Sequence, residues 1–282
     1  MKLIESILRH REAGKALLAA NFYNTETLQA VLRAAAAVKC EVILQTSPST
    51  LEYLGIPVAA AMARATADLL GVRAWLHLDH ATDPGMIRQC LEAGYDSVMI
   101  DASEKALAEN ERITRQIVEE AHRHGAAVEA ELGYIPKLGQ KEVTTEGFTD
   151  PDQAAAFVAA TGVDLLAVAI GTAHGFYRGE PKLDFERLSA IRRRVEVPLV
   201  LHGGSQLLPE VWREAIRRGV CKINFATDIK DTFMRSLKAT LTASNEIDLR
   251  KVFPKATQAA TALVAEKLRI CGGEITEKKL KP

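Results

Sequence analysis

The chain has 282 residues, enough for one large domain or two small ones. Apolar residues make up 48% and charged residues 26%, an ordinary balance for a soluble globular protein, and no apolar run approaches the ~18–20 residues that span a bilayer. Lys+Arg and Asp+Glu both number 36, so there is no electrostatic case for a nucleic-acid or anionic-membrane partner, and any phosphate site must be local.

The opening stretch, MKLIESILRHREAGKALL, reads as an amphipathic helix carrying Ile4, Ile7 and Leu8, not as a basic segment before an apolar core, so no signal peptide is expected. The first strand candidate, ALLAANF (16–22), brings up Asn21 and then Asn24; Leu28, Val31, Leu32 and Ala35 mark a helix after it. CEVILQT (40–46) runs into Ser47. AWLHLD (74–79) ends in Asp79 and His80, and Thr82-Asp83-Pro84 then places an Asp cap before a helix-opening proline. DSVMID (96–101) ends in Asp101, and Ile113, Ile117 and Ala121 mark the next helix. AAVEAEL (126–132) carries Glu131 at its end. The following segment, GYIPKLGQKEVTTEGFT (133–149), is the longest non-periodic stretch and a candidate mobile loop, closed by a second cap signal at Thr149-Asp150-Pro151. DLLAVAI (164–170) leads into Gly171-Thr172-Ala173-His174-Gly175. PLVLH (198–202) leads into His202-Gly203-Gly204-Ser205, and CKINFA (221–226) carries Asn224 and runs on to Thr227. Ile229, Phe233, Leu237 and Leu241 recur every four residues, and 253–270 reads as an extra helix with Ala256, Ala260, Leu263 and Leu268.

Eight short, near-continuous apolar runs separated by helical patterns fit a parallel sheet covered on both sides. A weak repeat agrees: AGYDSVMID (93–101), TGVDLLAVA (161–169) and RGVCKINFA (218–226) each place a helix-ending glycine two residues before a strand. The expected architecture is α/β, a (β/α)8 TIM barrel with an N-terminal helix and an extra C-terminal helix, with a doubly wound open sheet as the alternative. No linker composition interrupts it, so residues 1–282 are expected to form one barrel domain. Cys40, Cys90, Cys221 and Cys271 are far apart in sequence and form no CxxC pair, which fits reduced, mostly buried thiols in a cytoplasmic protein.

In such a barrel the chemistry sits at the carboxyl ends of the strands. Three histidines reach that rim from different strands: His80, His174 and His202. One histidine at a strand end is more often a hydrogen-bonded structural group than a ligand. Three on one rim, interleaved with carboxylates, match the ligand set of a catalytic divalent metal with an open position. His77 lies one pleat before Asp79 and should point the same way but deeper; spacing alone leaves His77 and His80 both open as the ligand. His10, His122 and His124 fall on helices. Gly203-Gly204-Ser205 and Asn224 to Thr227 follow the seventh and eighth strands, the usual phosphate cradle of this fold, although a bare GGS is also a plain turn. Asp79, beside His80, suits general acid/base work, and Asp101 and Glu131 suit orienting the ligands or joining them. Lys222 is the single lysine on a strand candidate, and so the residue a Schiff-base mechanism would need.

The motifs HLDH, SVMIDAS, VEAELG, AVAIGTAHG, LVLHGGS and CKINFATDIK, in order and spacing, resemble the class II, metal-dependent ketose-bisphosphate aldolases over about residues 3–272. AIGTAHG, and Ala226 in the last motif, lean towards the tagatose-bisphosphate branch. The resemblance implies cleavage of tagatose or fructose 1,6-bisphosphate to dihydroxyacetone phosphate and glyceraldehyde 3-phosphate in a homodimer or homotetramer. It implies one Zn2+ per subunit on His80, His174 and His202, replaceable by Co2+ or Mn2+, and leaves room for a monovalent cation. Asp79 would exchange the C4 hydroxyl proton, and Glu142 on the loop would move the C1 proton. Asp101 and Glu131 would take the second-shell or alternative metal positions. Asn24, Ser47, Gly175, Gly203, Gly204, Ser205, Asn224, Phe225, Ala226 and Thr227 would line the substrate site. The chain departs from the family pattern at Gln206 and in lacking an arginine over 271–276, both of which bear on the aldehyde half. Other readings are an aldolase of the same family acting on a different phosphorylated ketose, or a non-catalytic barrel subunit of an aldolase complex.

Overall fold

A computed structural model describes residues 2–136, 144–177 and 179–272. Its strands are β1 (Leu17–Asn21), β2 (Val42–Thr46), β3 (Ala74–Ala81), β4 (Ser97–Ile100), β5 (Ala127–Leu132), β6 (Leu165–Val168), β7 (Leu199–Leu201) and β8 (Val220–Phe225). They pair in sequence order, all parallel, and β8 closes onto β1. Helix α1 (Leu3–Glu12) precedes the barrel. The outer layer follows as α2 (Thr25–Val38), α3 (Pro48–Leu54), α4 (Ile56–Leu70), α5 (Pro84–Glu92), α6 (Leu107–Arg123), α7 (Pro151–Thr161), α8 (Phe185–Arg194), α9 (Pro209–Arg217), α10 (Thr227–Ala243) and α11 (Leu249–Cys271).

The punctuation read from the sequence operates as expected. Asp83 accepts from the Gly85 and Met86 amides at the start of α5, and Asp150 from those of Asp152 and Gln153 at the start of α7. Gly94, Gly162 and Gly219, the repeat's helix-ending glycines, all adopt positive φ. The N-terminal helix stops earlier than the apolar pattern implied, at Glu12, because Leu17 already belongs to β1. The extra C-terminal helix is longer than expected, running from Leu249 to Cys271 and packing on α2 and α10.

Strand alternation separates two cores. Leu18, Ala20, Leu44, Leu76, Leu78, Val128, Ala130, Leu166, Val168, Leu199 and Leu201 face the helices. Leu17, Ala19, Ile43, Trp75, Ala127, Leu165, Ala167 and Val200 fill the barrel's amino-terminal half, where Leu3 and Ile7 of α1 cover them. Because the side-chain period is two, the next inward positions are fixed: Asn21, Gln45, His77, Asp79, Glu129, Glu131, His202, Lys222 and Asn224. The barrel is therefore apolar at one mouth and polar at the other. Among the described residues no helix is long and apolar enough to cross a membrane.

Candidate active site

The parity rule that points His77 and Asp79 inward would send His80 outward. It faces the site because β3 leaves its register with β4 between Leu78 and Ala81, and the His80 backbone turns left-handed, with φ 51°. For a residue with a Cβ this conformation costs on the order of 1–2 kcal/mol, and it is here that both Asp79 and His80 are delivered to one place. The structure thereby separates the two histidines that spacing left open. His77 lies deeper, fully buried, with Nδ1 2.6 Å from the Ser97 hydroxyl.

His80, His174 and His202 converge. Ring centroids lie 4.7 Å apart for His80–His174 and for His80–His202, and 5.7 Å apart for His174–His202. Glu131 joins them: one potential ligand atom from each of the four residues lies within 4.8 Å of every other. Four tetrahedral ligand atoms each ~2.1 Å from one ion are about 3.4 Å apart, so a bound cation would draw the widest pair together by roughly 1 Å, within reach of side-chain rotation. Two of these residues also carry buried polar atoms without a hydrogen-bond partner among the described residues: His174 Nε2, and Glu131 Oε2, which lies 3.5 Å from His202 Nδ1. Three imidazoles, a carboxylate and two orphaned lone-pair atoms fit a divalent metal.

The surrounding groups fix the ligand rings. Asp101 Oδ2 lies 2.8 Å from His80 Nδ1, which leaves Nε2 aimed at the cluster, while its Oδ1 accepts from the Ser103 amide and hydroxyl. Glu129 Oε1 lies 2.7 Å from His202 Nε2, leaving Nδ1 for the centre, where it is 3.0 Å from His80 Nε2. Of the two carboxylates expected to orient or join the ligands, Asp101 lies against the His80 ring and Glu131 lies within the cluster itself. Asp79 sits beside the cluster, its Oδ1 4.0 Å from His80 Nε2 and accepting from Asn224 Nδ2 at 3.0 Å.

Burial and mutual charge set the protonation. Burial raises Glu131, and Asp101 adds to it, to about 8. For Asp79 burial acts the same way, but His80, His202 and Lys222 outweigh it and hold the carboxylate below its usual range. Burial pushes His80 down, yet Asp79, Asp101 and Glu131 carry it up to about 9. Burial and repulsion from His80 and His202 keep His174 well below the usual imidazole range.

A cavity of about 1040 Å³ opens over the cluster, lined by His80, His174, Gly175, Asn24, Ser47 and Thr227, among others. Asn24 and Ser47 also serve local structure: Asn24 Oδ1 caps α2 by accepting from the Thr27 amide, and Ser47 precedes α3 with its hydroxyl 3.1 Å from those of Ser49 and Thr50. A Cβ on Gly203 would meet the Ala173 carbonyl oxygen at 2.4 Å, and one on Gly204 would meet that of Asn224 at 2.7 Å. Both positions require glycine because the loops after β6, β7 and β8 press together. Ser205 Oγ faces the Ala226 and Asp228 amides at the start of α10. Phe225 turns its side chain away, fully buried with its ring 5.7 Å from that of Trp212. Glu142 lies outside the described residues.

These features meet their counterparts in known proteins. The profile of class-II fructose-bisphosphate aldolase matches residues 2–275. The chain belongs to that family. It is 40% identical over 272 residues to the D-tagatose-1,6-bisphosphate aldolase subunit GatY of Klebsiella oxytoca, covering 95% of this chain and 96% of that one. The crystal structure of the YdjI aldolase from Escherichia coli K12 superposes with a TM-score of 0.85 at 30% identity, covering 96% and 97% of the two chains. The fructose-bisphosphate aldolase of Campylobacter jejuni, 22% identical, shares the fold with a TM-score of 0.83 over 95% of this chain and 93% of its own. This class-II aldolase is thus an enzyme of the carbon–carbon lyase type, built on the barrel expected from its strand pattern.

Four contributors to the aldolase site were not singled out in the sequence. Glu129 could have been, since it lies two residues before Glu131 on the same strand face. Tyr177 could not: its hydroxyl accepts from the Ala173 amide and donates to the Gly203 carbonyl, tying the neighbours of His174 and His202. Tyr23 and Lys230 also line the cavity, and the Lys230 ammonium lies 5.1 Å from the Tyr23 ring centroid. Lys222, the strand lysine, is buried inside the barrel in an ion pair with Glu129 at 2.8 Å.

Proposed function

We propose that this chain is a zinc-dependent aldolase that cleaves, and in reverse condenses, tagatose 1,6-bisphosphate or fructose 1,6-bisphosphate, giving dihydroxyacetone phosphate and glyceraldehyde 3-phosphate. The carrying observation is the convergence of His80, His174, His202 and Glu131, with Asp79 beside them, two of the four (His80 and His174) lining a large cavity. The 40% likeness to a tagatose-bisphosphate aldolase subunit puts tagatose 1,6-bisphosphate first. We take residues 1–282 as one barrel domain that acts as a homodimer or homotetramer in the cytoplasm.

His80, His174 and His202 would hold the cation, with Glu131 as a fourth donor and Asp101 and Glu129 fixing two of the rings. When bound, Zn2+ (or Co2+ or Mn2+) supplies the electrophile that stabilises negative charge developing as the bond between C3 and C4 breaks. Asp79, held ionised, accepts the C4 hydroxyl proton in cleavage and returns it in condensation. Glu142 delivers a proton in cleavage to the carbon freed from the aldehyde (C3 of the ketose, C1 of dihydroxyacetone phosphate) and removes it in condensation. Gly175, Gly203 to Ser205, Asn224, Ala226 and Thr227 hold the dihydroxyacetone phosphate end, with amides at the start of α10 favouring the anion and a monovalent cation assisting it. The hydroxyls of Ser47, Ser49 and Thr50 offer donors to the second phosphate, and Lys230, one turn after Thr227 on α10, adds a positive charge to the cavity wall.

The test is a panel of phosphorylated ketoses assayed for release of dihydroxyacetone phosphate. Chelation should abolish release, and zinc or cobalt should restore it. Borohydride with substrate should leave activity intact, since Lys222 is engaged by Glu129; inactivation with label on Lys222 would replace this mechanism by a Schiff-base one.

A further inference from the structure

Beneath the cluster runs a chain of hydrogen bonds whose link from Lys222 through Asn224 to Asp79 no step above uses. Lys222 Nζ donates to Glu129 Oε2 at 2.8 Å and to Asn224 Oδ1 at 2.8 Å. Asn224 Nδ2 donates to Asp79 Oδ1 at 3.0 Å. Glu129 Oε1 in turn meets His202 Nε2 at 2.7 Å. Lys222 is 1% exposed and Glu129 is fully buried, so water does not compete for these contacts.

The direction of the chain is forced by its ends. An ammonium only donates, and an ionised carboxylate only accepts. Asn224 stands between one of each, so its amide has a single satisfied orientation: carbonyl to Lys222, NH2 to Asp79. Without the ammonium the carbonyl faces no donor among the groups described here, and a rotated amide would present oxygen to the Asp79 carboxylate. Strand geometry explains why these residues meet. Lys222 and Asn224 are successive inward positions of β8, and Asp79 and Glu129 are inward positions of β3 and β5 across the barrel.

We infer that Lys222 is a positioning residue for Asp79: through Asn224 it pins Oδ1, leaves Oδ2 to the substrate, and so fixes where the proton is taken. The role rests on the aldolase reading above, in which Asp79 handles the C4 hydroxyl proton. It also gives the strand lysine a purpose other than Schiff-base formation. The same ammonium, through Glu129, steadies the carboxylate behind His202.

Lys222→Met alone strands the Glu129 charge in a dry interior and can fail to fold. The informative variant is Lys222→Met with Glu129→Gln, which removes both charges together and leaves a carbonyl to meet His202. In the metal-free crystal structure of this double variant, Asn224 Nδ2 should move beyond ~3.5 Å from Asp79 Oδ1, out of hydrogen-bond range. With zinc bound, kcat should fall about 10²-fold while KM stays nearly unchanged, the signature of a misplaced group that does not bind substrate. A retained Asn224–Asp79 bond, or an unchanged kcat, overturns the role. The structural arm holds even if the wild-type enzyme releases no dihydroxyacetone phosphate from any ketose tried; that outcome strikes the aldolase reading instead.

Discussion

At its amino-terminal mouth the barrel is filled by Leu17, Ile43, Trp75 and Leu165 beneath Leu3 and Ile7 of α1; at its carboxyl mouth the strands lead to Asp79, Glu131, His202 and Asn224. The inward positions of β3 show the change within one strand: Trp75, His77, Asp79. Both mouths are buried, but the means of closure differ. The lower one gains from removing apolar surface from water and needs no particular partner for any atom. The upper one holds charge and polar groups that are tolerable only when matched, and two of its unmatched atoms among the described residues, His174 Nε2 and Glu131 Oε2, lie in the cluster that could hold a metal ion. Stability and chemistry are therefore concentrated at opposite ends of the same eight strands.

The largest effect that this contrast predicts is at the upper mouth. Asp79→Ala should lower kcat by ~10²–10⁴ while metal content and melting temperature stay close to wild type. Unchanged turnover would remove Asp79 from proton transfer. The lower mouth should respond in the opposite sense. Trp75→Ala opens a void under α1 and should cost ~3–5 kcal/mol in denaturant unfolding, with kcat per folded molecule preserved. A loss of turnover in that variant would mean that the two ends are not separable. A smaller effect should fall between them at Asp101→Ala, which removes the acceptor for His80 Nδ1. Zinc affinity, read by competition with a chelating dye, should drop ~10- to 100-fold with little change in folding stability.

What the sequence disclosed follows the same division. Strand runs, helix-opening Asp-Pro pairs and helix-ending glycines are local signals, and they located all eight units. The rim residues were legible because the fold assigns chemistry to strand ends. The inward face of the strands was legible only in part. Glu129 and Lys222 follow from the period of two once their neighbours are known, but nothing local says that β5 and β8 bring them within hydrogen-bond reach across the barrel. The choice of His80 over His77 depended on a left-handed backbone that simple alternation excludes. Tyr177 acts through its hydroxyl on two backbone groups, 4 and 26 residues away, for which no sequence pattern exists. Local chemistry was readable; pairings across the barrel were not.

The smallest effect supplies the control for the others. Asp150 caps α7 by accepting from the Asp152 and Gln153 amides at 2.9 Å, and it belongs to neither mouth. Asp150→Ala should cost ~1 kcal/mol, a fall of roughly 2–4 °C in melting temperature. Because the strands and their inward side chains are untouched, kcat and zinc affinity should not move. If they do, the upper site is sensitive to any loosening of the helical layer, and the losses at Asp79 and Asp101 could no longer be assigned to the removed groups. If they do not, a general softening is separated from a local chemical defect, and turnover lost at the upper mouth reports the chemistry of the residue that was changed.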